Sequence, residues 1–250
     1  MTDTTSSTPT RRQITEWSRL TQKKFRKEHG QFLIEGDVCV REAVRARAKI
    51  EAVLILAAEY DNWLGEFPAR VPVFALNTPT FDRFAKVENS QGIVAVANTF
   101  ELPARAGKLS LACEQVSDPG NCGALIRVAD FFGASELHLG SDSTEIWNPK
   151  VVRGSMGSLF SQPVRSGTDF EKLLHDWPGS SVAAVAHSGE SLRKPQNLKP
   201  PILLVLGHET RGLSENISKL CTHHLTLKPA GCAESLNLVT AAAVFAYALT

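Results

Sequence analysis

The chain is 250 residues long, with 43% hydrophobic and 21% charged residues, a globular composition that excludes a disordered chain. Lys and Arg number 27 against 26 Asp and Glu, so the formal net charge of +1 excludes nothing by itself and any basic function must come from local clustering. No apolar run approaches the roughly 20 residues that span a bilayer, and the opening MTDTTSSTPT has no apolar core of a signal peptide.

Residues 1–12 read as a disordered tail. The five cysteines include no C-x-x-C pair, which points to free thiols in a reducing compartment and to a cytoplasmic location. The stretch RRQITEWSRLTQKKFRKEHG is dense in cations. Arg19, Lys23, Lys24, Arg26 and Lys27 read as a helix with a basic surface, either a solvated face or a set of phosphate contacts. FLIEG (32–36) reads as a strand and DVCVREAVRARA as a helix. AVLILA (52–57), VPVFAL (71–76) and GIVAVAN (92–98) are short apolar or β-branched runs of the kind that form buried strands, with PTFDRFAKV (79–87) a helix between two of them. Residues 13–98 therefore make one small alternating α/β unit.

TFELPARAGK (99–108) reads as a linker, and 109–250 as a second α/β domain. Its strands are LSLACEQV (109–116), SELHLG (135–140), SVAAVAH (181–187), PILLVLG from 201, and HHLTL from 223. Helices are expected over 118–133, 148–160, 169–177 and 235–249. This alternation predicts a mostly parallel sheet, in which ligands bind at the carboxyl ends of strands.

Three loops share one property: each follows an apolar strand and concentrates glycine with polar residues. They are DPGNCG, GHETRG and KPAGCAESLN. In a parallel sheet all three leave at the same edge, and that convergence marks a site. In the first, Asp118-Pro119 starts a helix, yet Gly120, Asn121 and Gly123 fill its opening turn and Arg127 interrupts its apolar run. Residues better suited to a purely structural helix are missing there. Phosphate-loop and dinucleotide glycine patterns are absent. Cys221, His223, His224 and Cys232 fit no common zinc spacing, so no metal is expected. No cysteine has the His partner of a nucleophile, and Ser158 and Ser235 lack a nucleophile-elbow setting.

NCGALIRVADFFG, LVLGHETRGLS and LKPAGCAESLNLVTAAAV, in this order and spacing, resemble the three motifs of the TrmH-type (SpoU) branch of the SPOUT RNA methyltransferases. VVRGSMGSLFSQPV (151–164) is similar to the segment between the first two motifs. GQFLIEGDVCVREAV and SQGIVAVAN resemble that family's ribosomal-protein-like substrate-binding domain. The resemblance implies a trefoil-knotted parallel sheet, a homodimer that completes the site, and S-adenosylmethionine as cofactor. It implies methyl transfer to a ribose 2′-hydroxyl, in large-subunit ribosomal RNA or alternatively transfer RNA; an RNA-binding assembly protein that has lost catalysis is the competing class. By position, Asn121, Arg127, Glu209, Ser235 and Asn237 match the catalytic set. Leu206, Gly207, Glu209, Gly212, Leu227, Pro229, Gly231, Ser235 and Leu236 match the cofactor cradle. Arg127 and Arg153 join Arg19, Lys23, Lys24, Arg26 and Lys27 as candidate RNA contacts. The chain departs from the family at Lys228-Pro229, where Pro-Met is common.

Overall fold

The computed structural model describes residues 8–63, 65–85, 90–193, 197–232 and 234–250, and the chain divides into two compact units. Most of the expected tail, and the end of the expected 79–87 helix, lie outside the described residues.

The first unit comprises Met1–Phe100 and Trp147–Phe160. Thr10 caps α1 (Arg11–Arg19) by accepting from the Gln13 amide, and α2 (Lys23–His29) follows after a break. The sequence suggested one basic helix through this region. The break turns Arg26 inward, to 3% exposure, where its guanidinium donates to the Leu20 carbonyl at 2.8 Å. That carbonyl is among those a helix end leaves without an internal partner. Arg26 is therefore a structural residue and not an RNA contact, while Arg19, Lys23, Lys24 and Lys27 remain exposed.

Next come β1 (Gln31–Glu35), α3 (Asp37–Arg45), β2 (Ile50–Leu56), β3 (Val73–Leu76), a single turn α4 (Thr78–Phe81) and β4 (Ile93–Asn98). They form a sheet of order β1-β4-β2-β3, in which β4 runs against both its neighbours and β2 pairs parallel with β3. Leu33, Leu54, Phe74, Val94 and Val96 meet Leu20, Phe81 and Phe84 in one core cluster. Phe32, next to Leu33 in β1, meets Trp147 in a tilted ring contact at 4.6 Å and stacks with Phe160 at 6.5 Å. Burying both neighbours on a strand requires cover on both faces, because successive side chains point to opposite sides.

The second unit opens with β5 (Leu109–Cys113), α5 (Pro119–Phe131) and β6 (Leu137–Gly140); α6 (Pro149–Gly154), next in the chain, belongs to the 147–160 segment of the first unit and packs there on β1. The helix expected over 148–160 stops early, because Met156 and Gly157 take positive φ values of 51° and 93°. Arg153 pairs with Glu35 at 3.2 Å inside the first unit, so its guanidinium already has a carboxylate partner. Burial raises the Glu35 carboxyl above its ordinary value, against the opposing pull of Arg153.

The second unit continues with β7 (Val164–Thr168), α7 (Phe170–Asp176), β8 (Ser181–Ala184), β9 (Glu190–Ser191), β10 (Ile202–Leu206), α8 (Glu215–Leu220), β11 (His223–Thr226) and α9 (Leu238–Leu249). Its seven strands are ordered β7-β6-β5-β10-β8-β11-β9, and every pairing is parallel. All their carboxyl ends therefore lie along one edge. Leu203, Val205, Ala183 and Ala112 pack against Phe170, Leu174 and Ile217. No helix among the described residues is long and apolar enough to cross a membrane.

Candidate active site

The loops after β5, β10 and β11 are tied together by side-chain hydrogen bonds. Asp118 caps α5 by accepting from the Asn121 amide at 2.8 Å, which holds Asn121 on the first turn. From there the Asn121 Nδ2 donates to Glu209 Oε1 at 3.0 Å, and the Asp118 amide reaches the same oxygen at 3.4 Å. Asn237, itself the cap of α9 through the Val239 amide, donates its Nδ2 to Asn121 Oδ1 at 3.4 Å. Each of the three loops thus contributes one member to the chain Asn237–Asn121–Glu209. The amide orientation of Asn121 is fixed by it, since only this flip gives Glu209 a donor and Asn237 an acceptor.

The GHETRG loop is held from the β5 side as well. Arg211 donates to Gln115 at 2.6 Å, and the Ser214 amide donates to Glu114 at 2.8 Å. His208 and Gly212 exchange both backbone hydrogen bonds, closing the loop on itself. At its neck sits Gly207: a Cβ there would lie 2.0 Å from the Leu213 nitrogen and 2.1 Å from the Gly212 carbonyl carbon. Only glycine allows this approach of backbone to backbone.

Beside the loops lies a cavity of about 490 Å³. Of the residues expected to cradle a cofactor, Leu206, Gly207, Glu209, Gly212, Leu227, Pro229, Gly231, Ser235 and Leu236 all line it. Lys228, at the departure from the family pattern, is exposed on the same wall. The floor is apolar, with Leu206, Leu238 and Phe245 buried. Sequence reasoning missed His208, which lines the cavity with its Nε2 3.9 Å from Glu209 Oε2. The His208 Nδ1 accepts from the Thr210 amide at 3.1 Å, which leaves Nε2 to carry the proton in the neutral ring. It also missed Ala184–Ala186 at the end of β8; the signal was a strand ending beside the other two, but its place in the sheet order is a long-range property.

Arg127 is not gathered into this group. It is exposed on α5, does not line the cavity, and its side chain makes no hydrogen bond or ion pair among the described residues. The acidic residues of α5 and its N-cap are otherwise engaged: Asp130 with Arg105 at 2.9 Å, and Asp118 with the Asn121 amide. Burial pushes the Cys113 and Cys122 thiols up to about 12, so neither supplies a thiolate beside the site. Among the described residues no group of three or more His, Cys, Asp or Glu is placed to hold a metal ion.

A profile of the SpoU rRNA Methylase family matches residues 108–247, and one of the MRM3-like substrate binding domain matches residues 11–95. The chain is 27% identical over 239 residues to the 23S rRNA (guanosine(2553)-2′-O)-methyltransferase of Bacillus subtilis, covering 94% of this chain and 95% of that one. Among solved structures it is similar to the SpoU methyltransferase AviRb of Streptomyces viridochromogenes in complex with AdoMet. That match has a TM-score of 0.83 and 26% identity, over 96% of this chain and 97% of the other. It is similar also to the AdoMet-bound rRNA methyltransferase of Sinorhizobium meliloti, with a TM-score of 0.81 and 27% identity, over 97% and 96% of the two chains.

Proposed function

The chain belongs to the SpoU rRNA methylase family, and from that premise we propose that it transfers the methyl group of S-adenosylmethionine to a ribose 2′-hydroxyl of large-subunit ribosomal RNA. The observation that carries this reading is the hydrogen-bonded chain Asn237–Asn121–Glu209 at the cavity edge. A binding protein that had abandoned catalysis would have no need for three loops to converge on one polar set.

The residues present fit the cofactor. The cavity, at about 490 Å³, falls within the roughly 300–1,000 Å³ of small-molecule sites. Its leucines and Phe245 suit an adenine ring, the Glu209 and Glu234 carboxylates complement a sulfonium, and Lys228 complements a carboxylate. The bound cofactor supplies an already activated methyl group. What remains for the protein is to hold the ribose in line and favour loss of its proton. Asn121, fixed at both ends of its amide, positions the loop edge against which the ribose is held, and the exposed Ser235, which lines the cavity, adds a hydroxyl donor. The Arg127 guanidinium offers only donors and no acceptor, so it serves to hold an RNA phosphate and stabilise the developing alkoxide.

Arg127 reaches such a position through a second copy of the chain. It shares a face of α5 with Phe131, one helical turn on, which is 82% exposed. Helix α9 packs beside α5 and leaves Val244 and Tyr247 exposed at 39% and 77%. Covering these apolar side chains in a homodimer brings Arg127 to the rim of the interface, within reach of the partner's cavity. The trefoil knot and a cytoplasmic location belong to the same reading.

The test is methyl transfer from labelled S-adenosylmethionine to deproteinised bacterial ribosomal RNA and transfer RNA, followed by mapping of 2′-O-methyl positions. Product in the large-subunit RNA is expected. Product confined to transfer RNA overturns the substrate. Absence of both product and cofactor binding, with RNA still bound, favours the non-catalytic assembly protein.

A further inference from the structure

We propose that the end of the four-stranded sheet where β2 and β3 begin is a phosphate-contacting RNA surface built on Arg47, Lys49 and Arg70. The proposal rests on the reading of RNA as substrate and adds a site to it.

The topology assembles the surface from distant stretches. Because β1 and β2 both run antiparallel to β4 and β3 runs parallel with β2, all three strands start towards the end of the sheet where β4 finishes, with Gln31 opposite Asn98, Ile50 opposite Ala97 and Val73 opposite Val53. The chain approaches that end three times, and each time it carries a cation: Lys27 ahead of β1, Arg47 and Lys49 ahead of β2, and Arg70 ahead of β3. A hollow of about 210 Å³ opens there, with Val44, Ile50 and Val71 among its lining residues beside Arg47, Lys49 and Arg70. All three cations are exposed. Lys49 has a loose carboxylate neighbour in Glu51 at 3.8 Å, whereas Arg47 and Arg70 form no ion pair among the described residues.

Arg47 carries a second, independent sign. Helix α3 ends in a closed C-terminal motif: the Ala48 amide bonds the Ala43 carbonyl at 2.9 Å and the Arg47 amide bonds the Val44 carbonyl at 3.0 Å. This pattern requires the left-handed backbone at Arg47, whose φ is 57°. Glycine or asparagine is the usual occupant, since a Cβ is disfavoured there. Arg47 therefore holds an exposed guanidinium, with no ion pair among the described residues, at a backbone position that glycine usually occupies. Paired guanidinia above an apolar floor match a nucleotide strand, whose phosphate oxygens accept from the arginines while a sugar or base edge meets the valines and isoleucine.

The experiment uses the full chain, its Arg47→Gly and Arg70→Ala variants, and deproteinised bacterial large-subunit ribosomal RNA, with binding measured between about 50 and 200 mM salt. Each variant is expected to weaken binding and to reduce the slope of log affinity against log salt by about 1. Arg47→Gly is also expected to melt at or above the wild-type temperature, because glycine adopts this φ freely. S-adenosylmethionine affinity should be unchanged in both. Wild-type slopes in both variants overturn the surface, as does an Arg47→Gly protein that loses its fold. Displacement of RNA-independent binding to polyglutamate, with RNA binding unaffected by the variants, would assign the patch to an acidic protein instead. A wild-type chain that binds no RNA overturns the functional reading itself.

Discussion

Replacing Gly207 with alanine tests whether the GHETRG loop owes its shape to backbone packing. The new methyl group would lie 2.0 Å from the Leu213 nitrogen, 2.1 Å from the Gly212 carbonyl carbon and 2.4 Å from its oxygen. All three are main-chain atoms, so no side chain can swing aside to relieve them. Overpacking of this kind costs about 1–3 kcal/mol, and backbone on both sides places Gly207→Ala in the upper half of that range. At roughly 2–4 °C per kcal/mol for a chain of this size, Tm should fall by about 4–12 °C. The paired control is Gly231→Ala, where an added methyl meets nothing within 4 Å although the residue lines the same cavity. Differential scanning calorimetry and titration with S-adenosylmethionine read the two effects. Gly207→Ala should lose both stability and cofactor affinity, because the shift must pass through the His208–Gly212 closure that forms one wall. A Gly207→Ala protein that melts and binds like the Gly231→Ala control would refute the reasoning.

Arg127→Ala should abolish methyl transfer while leaving Tm and cofactor affinity nearly unchanged, since the side chain touches neither the cavity nor a partner among the described residues; loss of cofactor binding on titration would make it structural. Phe131→Asp or Tyr247→Asp should shift the particle in sedimentation towards the 27.2 kDa chain, and an unchanged sedimentation coefficient in both would remove the proposed interface. His138 is 7% exposed, its Nε2 makes no hydrogen bond and lies 3.6 Å from Glu136 Oε2, and burial lowers its pKa from 6.5 despite the opposing Glu136. Its folded pKa is the lower one, so stability is constant above about pH 6.5 and is lost as pH falls through the folded value. His138→Phe should flatten that acid limb in Tm measured against pH, and an unchanged limb would place the acid sensitivity elsewhere.

Much of this was legible in the residues, for definite physical reasons. Central parallel strands are covered on both faces, so β10 appears as an uninterrupted apolar run and β5 as one broken only by Ser110, and both are buried throughout. The edge strand β7, VRSGT, has no fully buried residue and carried no such signal. Asn121, Glu209 and Asn237 stood out because glycine and polar residues follow apolar strands there, and the parallel sheet brings those loop origins to one edge. Arg26 was hidden because helical spacing continues across 20–22, while the break depends on Leu20 being drawn into a core made from distant strands. For the same reason nothing local told that residues 147–160 pack with Phe32.

That last placement has a consequence for how the molecule is made. The first unit contains Trp147–Phe160 as well as Met1–Phe100, so it stays incomplete until residue 160 has left the ribosome. By then β5, α5 and β6 have emerged too, but β10, the strand that flanks β5 on its other side, has not. Vectorial synthesis therefore cannot finish one unit before starting the other, as it does for domains laid end to end. The nascent chain must hold the buried face of Phe32 open for Trp147 while one edge of β5 waits unpaired for β10. For the same reason no single cut between residues 100 and 109 yields two whole domains: the C-terminal fragment would carry α6 away from β1, the strand it packs against.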